Sequence, residues 1–192
     1  MPAKNTRTAI LDAAQDLIQR MGANAMSYQN ISDAVGIRKA SIHYYFPTKE
    51  DLLEAVLGRY NTYFLRLVDD IIRSKEKADK KLQRYVGIFE ATLRDGSRDK
   101  ACLCGMLGAE LATLRSDSVR HVRSFYAENE ARLIQILEAG RRDGSFNFEG
   151  STRQTASLIF SLLEGAVLIS RAQDGVRHFK GIGTQLLNLL RH

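Results

Sequence analysis

Apolar residues recur at helical spacing along most of the chain, with polar residues between them. A first helix has one apolar face and ends at Gly22; its apolar positions are Ile10, Leu11, Ala14, Leu17, Ile18 and Met21. Beyond residue 75, helices are expected around 79–94, 101–114, 117–143, 151–174 and 177–190, with breaks at three Asp-Gly pairs. No alternating pattern typical of strands competes. The sequence therefore predicts an all-α chain.

Two short helices follow the first one. Ser27 is a favourable N-cap, with Met26 and Ile31 spaced to form a hydrophobic staple. Asn30 stands where a full capping box has Glu or Gln, so we do not expect the reciprocal bond. Gly36 ends this helix in a sharp turn, and a third helix runs from about Lys39 to Tyr45. The pair has the layout of a helix-turn-helix.

A long fourth helix is expected after Pro47. Thr48 and Asp51 form a capping pair, and an apolar face continues from Leu52 to Leu67. This helix, over about 49–74, links two expected domains. We predict a three-helix DNA-binding domain over 1–48 and a helical ligand-binding and dimerisation domain over 49–192.

Composition agrees with helical packing and narrows the setting. Only two prolines occur among 192 residues, and 44% of the residues are hydrophobic, which suits one or two packed domains. The net charge of +6 favours anionic partners. The charged N-terminal stretch does not resemble a secretory signal, and the most apolar segment, 158–169, falls short of a membrane span. A cytoplasmic protein without membrane contact is expected.

The turn and third helix carry chemistry suited to DNA. No acidic residue occurs from Ala34 to Lys49, so a phosphate would meet only positive or neutral groups. Ile42, Tyr45 and Phe46 are expected to pack inward while polar residues face bases or phosphates. The candidate DNA-binding residues are Ser27, Tyr28, Arg38, Lys39, Ser41, His43, Tyr44 and Lys49.

The segment from Ile31 to Leu52 resembles the TetR/AcrR family of bacterial transcriptional regulators, and the similarity extends over residues 6–60. The resemblance implies that six of those candidates face DNA, while Gly36 and Phe46 shape the turn and core. These six are Arg38, Lys39, Ser41, His43, Tyr44 and Lys49. Relatives often have Tyr at the position of His43, so the base preference there is not transferred. The family also implies a homodimer on palindromic double-stranded operator DNA and a repressor released by a small-molecule inducer.

The helix at 151–174 carries more apolar surface than one outward-facing helix hides, and it starts with a possible capping box at Ser151 and Gln154. With the last helix it is expected to form a four-helix dimer interface, although core packing within one protomer explains the same residues. The expected interface residues are Leu158, Leu162, Gly165, Ala166, Ile169, Leu186 and Leu190.

An inducer pocket needs apolar walls and a few polar anchors. The candidates are Tyr60, Tyr63, Phe64, Tyr85, Phe89, Cys102, Met106, Glu110 and Phe125, all of which serve equally well as core residues. Glu110 is either a pocket anchor or the partner of an arginine, because a buried carboxylate needs a partner or a proton.

Two alternative functions stay open. A thiol-based sensor of oxidants or electrophiles would act through Cys102 or Cys104, which are expected near the start of one helix. A helical protein-interaction module would keep the fold without specific DNA binding. No phosphate loop, metal motif or nucleophile elbow appears, so we expect neither an enzyme nor a metal or cofactor.

Overall fold

The computed structural model describes residues 6–94 and 100–191, which form nine α-helices and one short 3-10 helix. The α-helices are α1 (Thr6–Ala25), α2 (Tyr28–Val35), α3 (Lys39–Tyr45), α4 (Lys49–Arg73), α5 (Ala78–Ala91), α6 (Leu103–Gly108), α7 (Ser116–Asp143), α8 (Thr152–Ala172) and α9 (Val176–Arg191). The 3-10 helix, η1, covers Leu111–Thr113. The predicted all-α class is confirmed, since these two ranges contain no strand.

The helix predicted over 101–114 is the one that differs most. It is divided into α6 and η1, because Glu110 takes a non-helical conformation with φ −109° and ψ 11°. Cys102 directly precedes α6 and Cys104 lies in its first turn, so the cysteines stand at the start of a helix, as expected, although this helix begins two residues later than predicted. The first helix is interrupted at Gly22, as predicted, and one further helical turn follows the break before α2.

Helix starts are set by local side chains in two of three predicted places. The Ser27 hydroxyl accepts the Asn30 N–H while Asn30 Oδ1 accepts the Ser27 N–H at 2.9 Å, so the capping box doubted from the sequence is complete. Asparagine serves there because its Oδ1 is an acceptor of the same kind as that of glutamine. Thr48 and Asp51 form the predicted pair.

The capping box predicted at Ser151 is absent, since Ser151 makes no side-chain cap bond. The Arg141 guanidinium holds the entry to α8 instead. It donates to the carbonyl oxygens of Phe148 and Gly150, both at 2.8 Å, and lies over the Phe148 ring.

The chain forms two compact units. Within the described residues, unit 1 comprises 6–62 and 103–124. It holds α1, α2, α3, the first part of α4, α6, η1 and the start of α7, so 103–124 lie with helices that the sequence analysis assigned to another domain. Its interior is aliphatic, with Ile10, Ile18, Ile31, Ile42 and Leu52 all fully buried.

Unit 2 comprises 63–94, 100–102 and 125–191, and its centre is aromatic. The Phe64 ring lies 5.6 Å from the Phe89 ring and 5.0 Å from the Phe125 ring, in edge contacts that favour such pairs. Phe160 of α8 completes this cluster, 6.3 Å from Phe89. An aromatic interior crossed by α8 is therefore the framework of unit 2.

Candidate functional site

The two short helices of unit 1, α2 and α3, each bury one residue in the core of that unit. Most of their surface is exposed. Ile31 is the buried residue of α2, and Ile42 is that of α3. Gly36 adopts the left-handed conformation, with φ 75° and ψ 35°, and its N–H donates to the Ser32 carbonyl at 2.9 Å. This turn sets α3 at an angle to α2 and leaves its polar residues outside.

The predicted DNA-facing residues of α3 are at the surface. Arg38, Lys39, His43 and Tyr44 are exposed, with Tyr44 at 81%, and Ser41 is half-buried. Tyr45 was expected to pack inward, which is wrong: it is 37% exposed, and its ring stands edge-on to that of Tyr44 at 5.1 Å. The helix α3 ends at Tyr45. Ile42 within it and Phe46 directly after it are the residues that reach the core.

Tyr28 braces the turn between α3 and α4. Its hydroxyl lies 2.8 Å from the Phe46 carbonyl oxygen and 2.6 Å from that of Thr48. Burial, and then the charges of Asp51 and Glu50, raise the pKa of Tyr28 to about 12. The Tyr28 hydroxyl, which was expected to contact a phosphate, thus bonds the protein's own backbone. The Tyr28 ring lies 4.7 Å from the ring of His43.

Lys49 is the first residue of α4, directly after the α3–α4 turn. Its Nζ lies 3.5 Å from the Asn24 carbonyl oxygen, a weak contact that leaves the ammonium able to meet an anion. The neighbouring Asp51 caps Thr48, and these hydrogen bonds lower the pKa of the Asp51 carboxyl. The Asp51 carboxylate is thereby held at the start of α4.

Arg7 is a positive residue at this surface that the sequence analysis missed. Its guanidinium lies 5.2 Å from the centre of the Phe46 ring, at the end of α3. A cation–π contact between residues 39 positions apart leaves no local sequence pattern. Arg7 of α1 therefore places a positive side chain beside the exposed surface of α2 and α3. We call this exposed surface the α2–α3 surface.

The predicted pocket residues are divided between the two units. Phe64, Tyr85, Phe89, Cys102 and Phe125 are buried in unit 2, whereas Tyr60, Met106 and Glu110 belong to unit 1. Tyr63 is 54% exposed, so its assignment to an interior wall is wrong.

Neither role expected for Glu110 is seen. Its Oε2 accepts the Ala23 N–H at 2.7 Å, and both carboxylate oxygens lie 3.3 Å from the Asn24 N–H. The carboxylate thus meets backbone donors rather than an arginine or a pocket.

Unit 2 also contains a buried polar cluster that no sequence pattern predicted. Glu164 is half-buried as a residue, but its Oε1 is buried and has no hydrogen-bond partner among the described residues. Burial raises the pKa of the Glu164 carboxyl to about 7, partly offset by a hydrogen bond from the Cys102 thiol. Nearby, the Tyr85 hydroxyl lies 3.3 Å from Asn129 Oδ1, and burial raises the pKa of Tyr85 well above its usual value.

Both cysteines are buried and make hydrogen bonds. The Cys104 thiol in unit 1 donates to Asn61 Oδ1 at 3.3 Å, and Asn61 Nδ2 in turn donates to the His121 carbonyl at 3.0 Å. Among the residues described, no group of three or more His, Cys, Asp or Glu side chains is placed to hold a metal ion.

The outward face of α8 is apolar. Leu158 is 69% exposed and Ile169 is 56% exposed, with Leu162 and Gly165 between them. Three other residues expected at the dimer interface are buried inside the protomer instead: Ala166 of α8, and Leu186 and Leu190 of α9, which packs against α5 and α8. By length and composition alone, α8 is long and apolar enough to cross a membrane. The sequence prediction concerned only the 12 residues 158–169, which are too few for a span.

Two family models match the chain. Residues 10–56 match the model described as "Bacterial regulatory proteins, tetR family", and residues 78–185 match "Tetracyclin repressor-like, C-terminal domain". Together they include the helix-turn-helix and most of unit 2.

Known proteins resemble the chain over nearly its whole length. The HTH-type transcriptional repressor NemR of Escherichia coli (strain K12) is 26% identical over 188 residues, covering 93% of this chain and 94% of NemR. The transcriptional regulator AcuR of Cereibacter sphaeroides is 22% identical, covering 86% of this chain and 76% of AcuR. A solved TetR-family regulator from Agrobacterium tumefaciens is 30% identical with a TM-score of 0.90, covering 96% of both chains. Another, from Legionella pneumophila, is 29% identical with a TM-score of 0.88, covering 99% of this chain and 100% of that one.

Proposed function

The chain belongs to the TetR family of bacterial transcriptional regulators, and from this premise we propose that it represses transcription as a homodimer on a palindromic operator, from which a small ligand releases it. In this proposal α3 enters the major groove, while α2 and the start of α4 contact the backbone. The protein acts in the cytoplasm, takes no part in catalysis and needs no membrane.

One observation carries the DNA-binding part of the proposal. The exposed surface from Arg38 to Lys49 contains positive and hydrogen-bonding side chains and no acidic one, on a helix held only by Ile42 and the adjacent Phe46. Such a surface can bind phosphates without electrostatic repulsion, because it carries no carboxylate. Tyr44, at the centre of the exposed face, is the residue best placed to touch a base.

The exposed apolar face of α8 supports a homodimer. Leu158, Leu162 and Ile169 recur at helical spacing on the outside of unit 2. A second copy of the same face would bury them in a self-complementary interface, as two-fold symmetry requires. We prefer this explanation to a membrane span because the members of the family are transcriptional regulators. The dimer would then reach half-sites about one helical turn apart, roughly 34 Å.

The interior of unit 2 is the proposed ligand site. Aromatic rings of Phe89, Phe125 and Phe160 provide apolar walls, and Glu164 Oε1 offers a buried acceptor without a partner. A ligand that donates a hydrogen bond to this oxygen would recover the cost of its burial. Its binding would favour a conformation of the dimer that does not fit the operator.

The test is selection of operators from random-sequence duplexes by the purified protein, followed by affinity measurements at two salt concentrations. Tyr44→Ala and Lys49→Ala are the informative variants. Tyr63→Ala and Lys75→Ala are matched controls, since both residues are exposed and lie outside the α2–α3 surface.

We expect one palindrome to be enriched, and its binding to be lost in Tyr44→Ala and weakened in Lys49→Ala, but kept in both controls. If Lys49 contacts a phosphate, Lys49→Ala also reduces the salt slope by about one. Weak, sequence-blind binding that all five proteins share would instead favour the interaction module.

A further inference from the structure

The last turn of α1, after the break at Gly22, is held by side chains that lie more than 80 residues away in sequence. After the break at Gly22, the backbone N–H groups of Ala23 and Asn24 start a new helical turn and have no carbonyl partner within it. Glu110, at the junction of α6 and η1, accepts both of them. It therefore acts as an N-cap supplied by another part of unit 1.

Thr113 of η1 adds a second contact to the same segment. Asn24 Nδ2 donates to the Thr113 hydroxyl at 3.0 Å, and that hydroxyl lies 2.9 Å from the carbonyl oxygen of Glu110. Glu110 and Thr113 thus hold both the backbone and the side chain of Asn24. We call Glu110 and Thr113, which hold Asn24 from both sides, the 110–113 clasp.

Gly22 is what lets the carboxylate come this close. It has φ +83°, a conformation that favours glycine, and a Cβ built there would overlap the carboxylate of Glu110. The interruption of α1 and the position of Glu110 are therefore parts of one arrangement.

The clasped segment leads directly into the DNA surface. Met26 is buried and Ser27 is the N-cap of α2, so the placement of residues 23–25 sets where α2 begins. On its other side, the Asn24 carbonyl is the contact of the Lys49 ammonium. The Glu110 carboxylate is thus connected to the start of α2 and, through Asn24, to Lys49, the proposed phosphate-binding lysine.

We propose that Glu110 is a positioning residue for DNA binding, which fixes the start of α2 and the Lys49 contact from outside the helix-turn-helix. Removing the carboxylate leaves two backbone donors without their acceptor and releases the α1–α2 junction. Operator affinity then falls although no group that touches DNA has changed. This inference builds on the proposed DNA binding and assigns it a residue beyond the DNA surface.

The experiment compares wild type, Glu110→Gln and Glu110→Ala with Glu138→Gln, which makes the same change in net charge at an exposed site on α7. Affinity for the selected operator is measured well below the unfolding temperature and across a salt series. We expect affinity to fall on the order of tenfold in Glu110→Ala, less in Glu110→Gln, which keeps one acceptor oxygen, and not in Glu138→Gln. The salt slope should be unchanged in Glu138→Gln, whereas in Glu110→Ala it should fall by at most about one, the change expected when the Lys49 contact with a phosphate is lost.

Amide hydrogen exchange provides a readout that does not depend on DNA. Exchange at Ala23, Asn24 and the first turn of α2 should accelerate in Glu110→Ala while α8 keeps its protection. Wild-type operator affinity in a folded Glu110→Ala protein, or unchanged exchange at Ala23 and Asn24, would overturn the proposal. If wild type itself selects no operator, the proposed function fails, and exchange alone then decides whether the clasp exists.

Discussion

Two glutamates of this protein show how differently one residue type is used. Glu110 accepts hydrogen bonds from the backbone N–H groups of Ala23 and Asn24, which tie down the α1–α2 junction. Glu164 has one buried oxygen without a partner among the described residues, and its carboxyl accepts a hydrogen bond from the Cys102 thiol. Burial without a partner disfavours the charged form, so Glu164 makes folding sensitive to pH.

Glu164→Gln should remove that sensitivity. The pKa of the Glu164 carboxyl rises from 4.5 to about 7 in the folded protein, so the folded state holds more protons than the unfolded one between these values. Stability from this group is complete below pH 4.5 and is lost as pH rises through 7, by up to about 3 kcal/mol. Urea unfolding at pH 5 and pH 8 checks this: relative to wild type, the variant should gain stability at pH 8.

The control is Glu138→Gln, an exposed site on α7 where the same substitution should leave the pH profile parallel to that of wild type. If Glu164→Gln gives that parallel profile too, Glu164 ionises normally in the folded protein.

Tyr28→Phe separates a scaffold role from a DNA contact. The hydroxyl of Tyr28 bonds the carbonyls of Phe46 and Thr48, so we expect a loss of about 1 kcal/mol in the free energy of unfolding. The slope of operator affinity against salt should stay that of wild type, because the hydroxyl is engaged with backbone oxygens. A slope reduced by about one would show that Tyr28 contacts a phosphate instead.

The starts of α2 and α4 are fixed by side chains one turn away, and α4 is the clearer case. Thr48 Oγ1 accepts the Asp51 N–H at 3.1 Å, and Asp51 Oδ2 accepts the Thr48 N–H at 2.9 Å. Two backbone donors at the start of α4 are thereby satisfied, directly beside Lys49.

Thr48→Ala should cost about 1 kcal/mol in the free energy of unfolding, because it removes the cap of α4. Thr62→Ala is the matched control: Thr62 lies exposed inside α4 and its hydroxyl only returns to the Gly58 carbonyl. Alanine favours a helix interior, so that control should be neutral or slightly stabilising. Equal destabilisation of the two variants in thermal unfolding would contradict a specific capping role.

For the whole molecule, assembly is expected to depend on the apolar face of α8. Leu158→Glu and Ile169→Glu should each convert the dimer to monomer in sedimentation experiments, because the dimer would bury the new charge without a partner. Met21→Glu, an exposed apolar residue of unit 1, is the control and should leave the dimer intact. Dimers that persist in both α8 variants would place the interface elsewhere.

Loss of the dimer should also weaken operator binding, since each half-site would then be bound separately. Fluorescence anisotropy with a full palindrome and with a single half-site measures this. The two affinities should differ widely for wild type and become similar for the α8 variants.

The sequence alone determined the features that depend on neighbours within one or two helical turns. Hydrophobic spacing predicted the helices, Thr48 and Gly36 predicted where two of them begin and end, and the absence of acidic residues from Ala34 to Lys49 marked the surface of α3. These features follow from local backbone geometry and charge, which any short segment already contains.

Only the tertiary structure decided the roles that depend on distant partners. Glu110 was expected at a pocket or an arginine, yet it caps a segment 87 residues earlier. Leu186 and Leu190 were expected at the dimer interface but are buried in the protomer, while Glu164 emerged as a carboxylate with one buried, unpartnered oxygen. Burial and hydrogen bonding are set by which helices pack together, and residues far apart in the chain acquire these partners only when it folds.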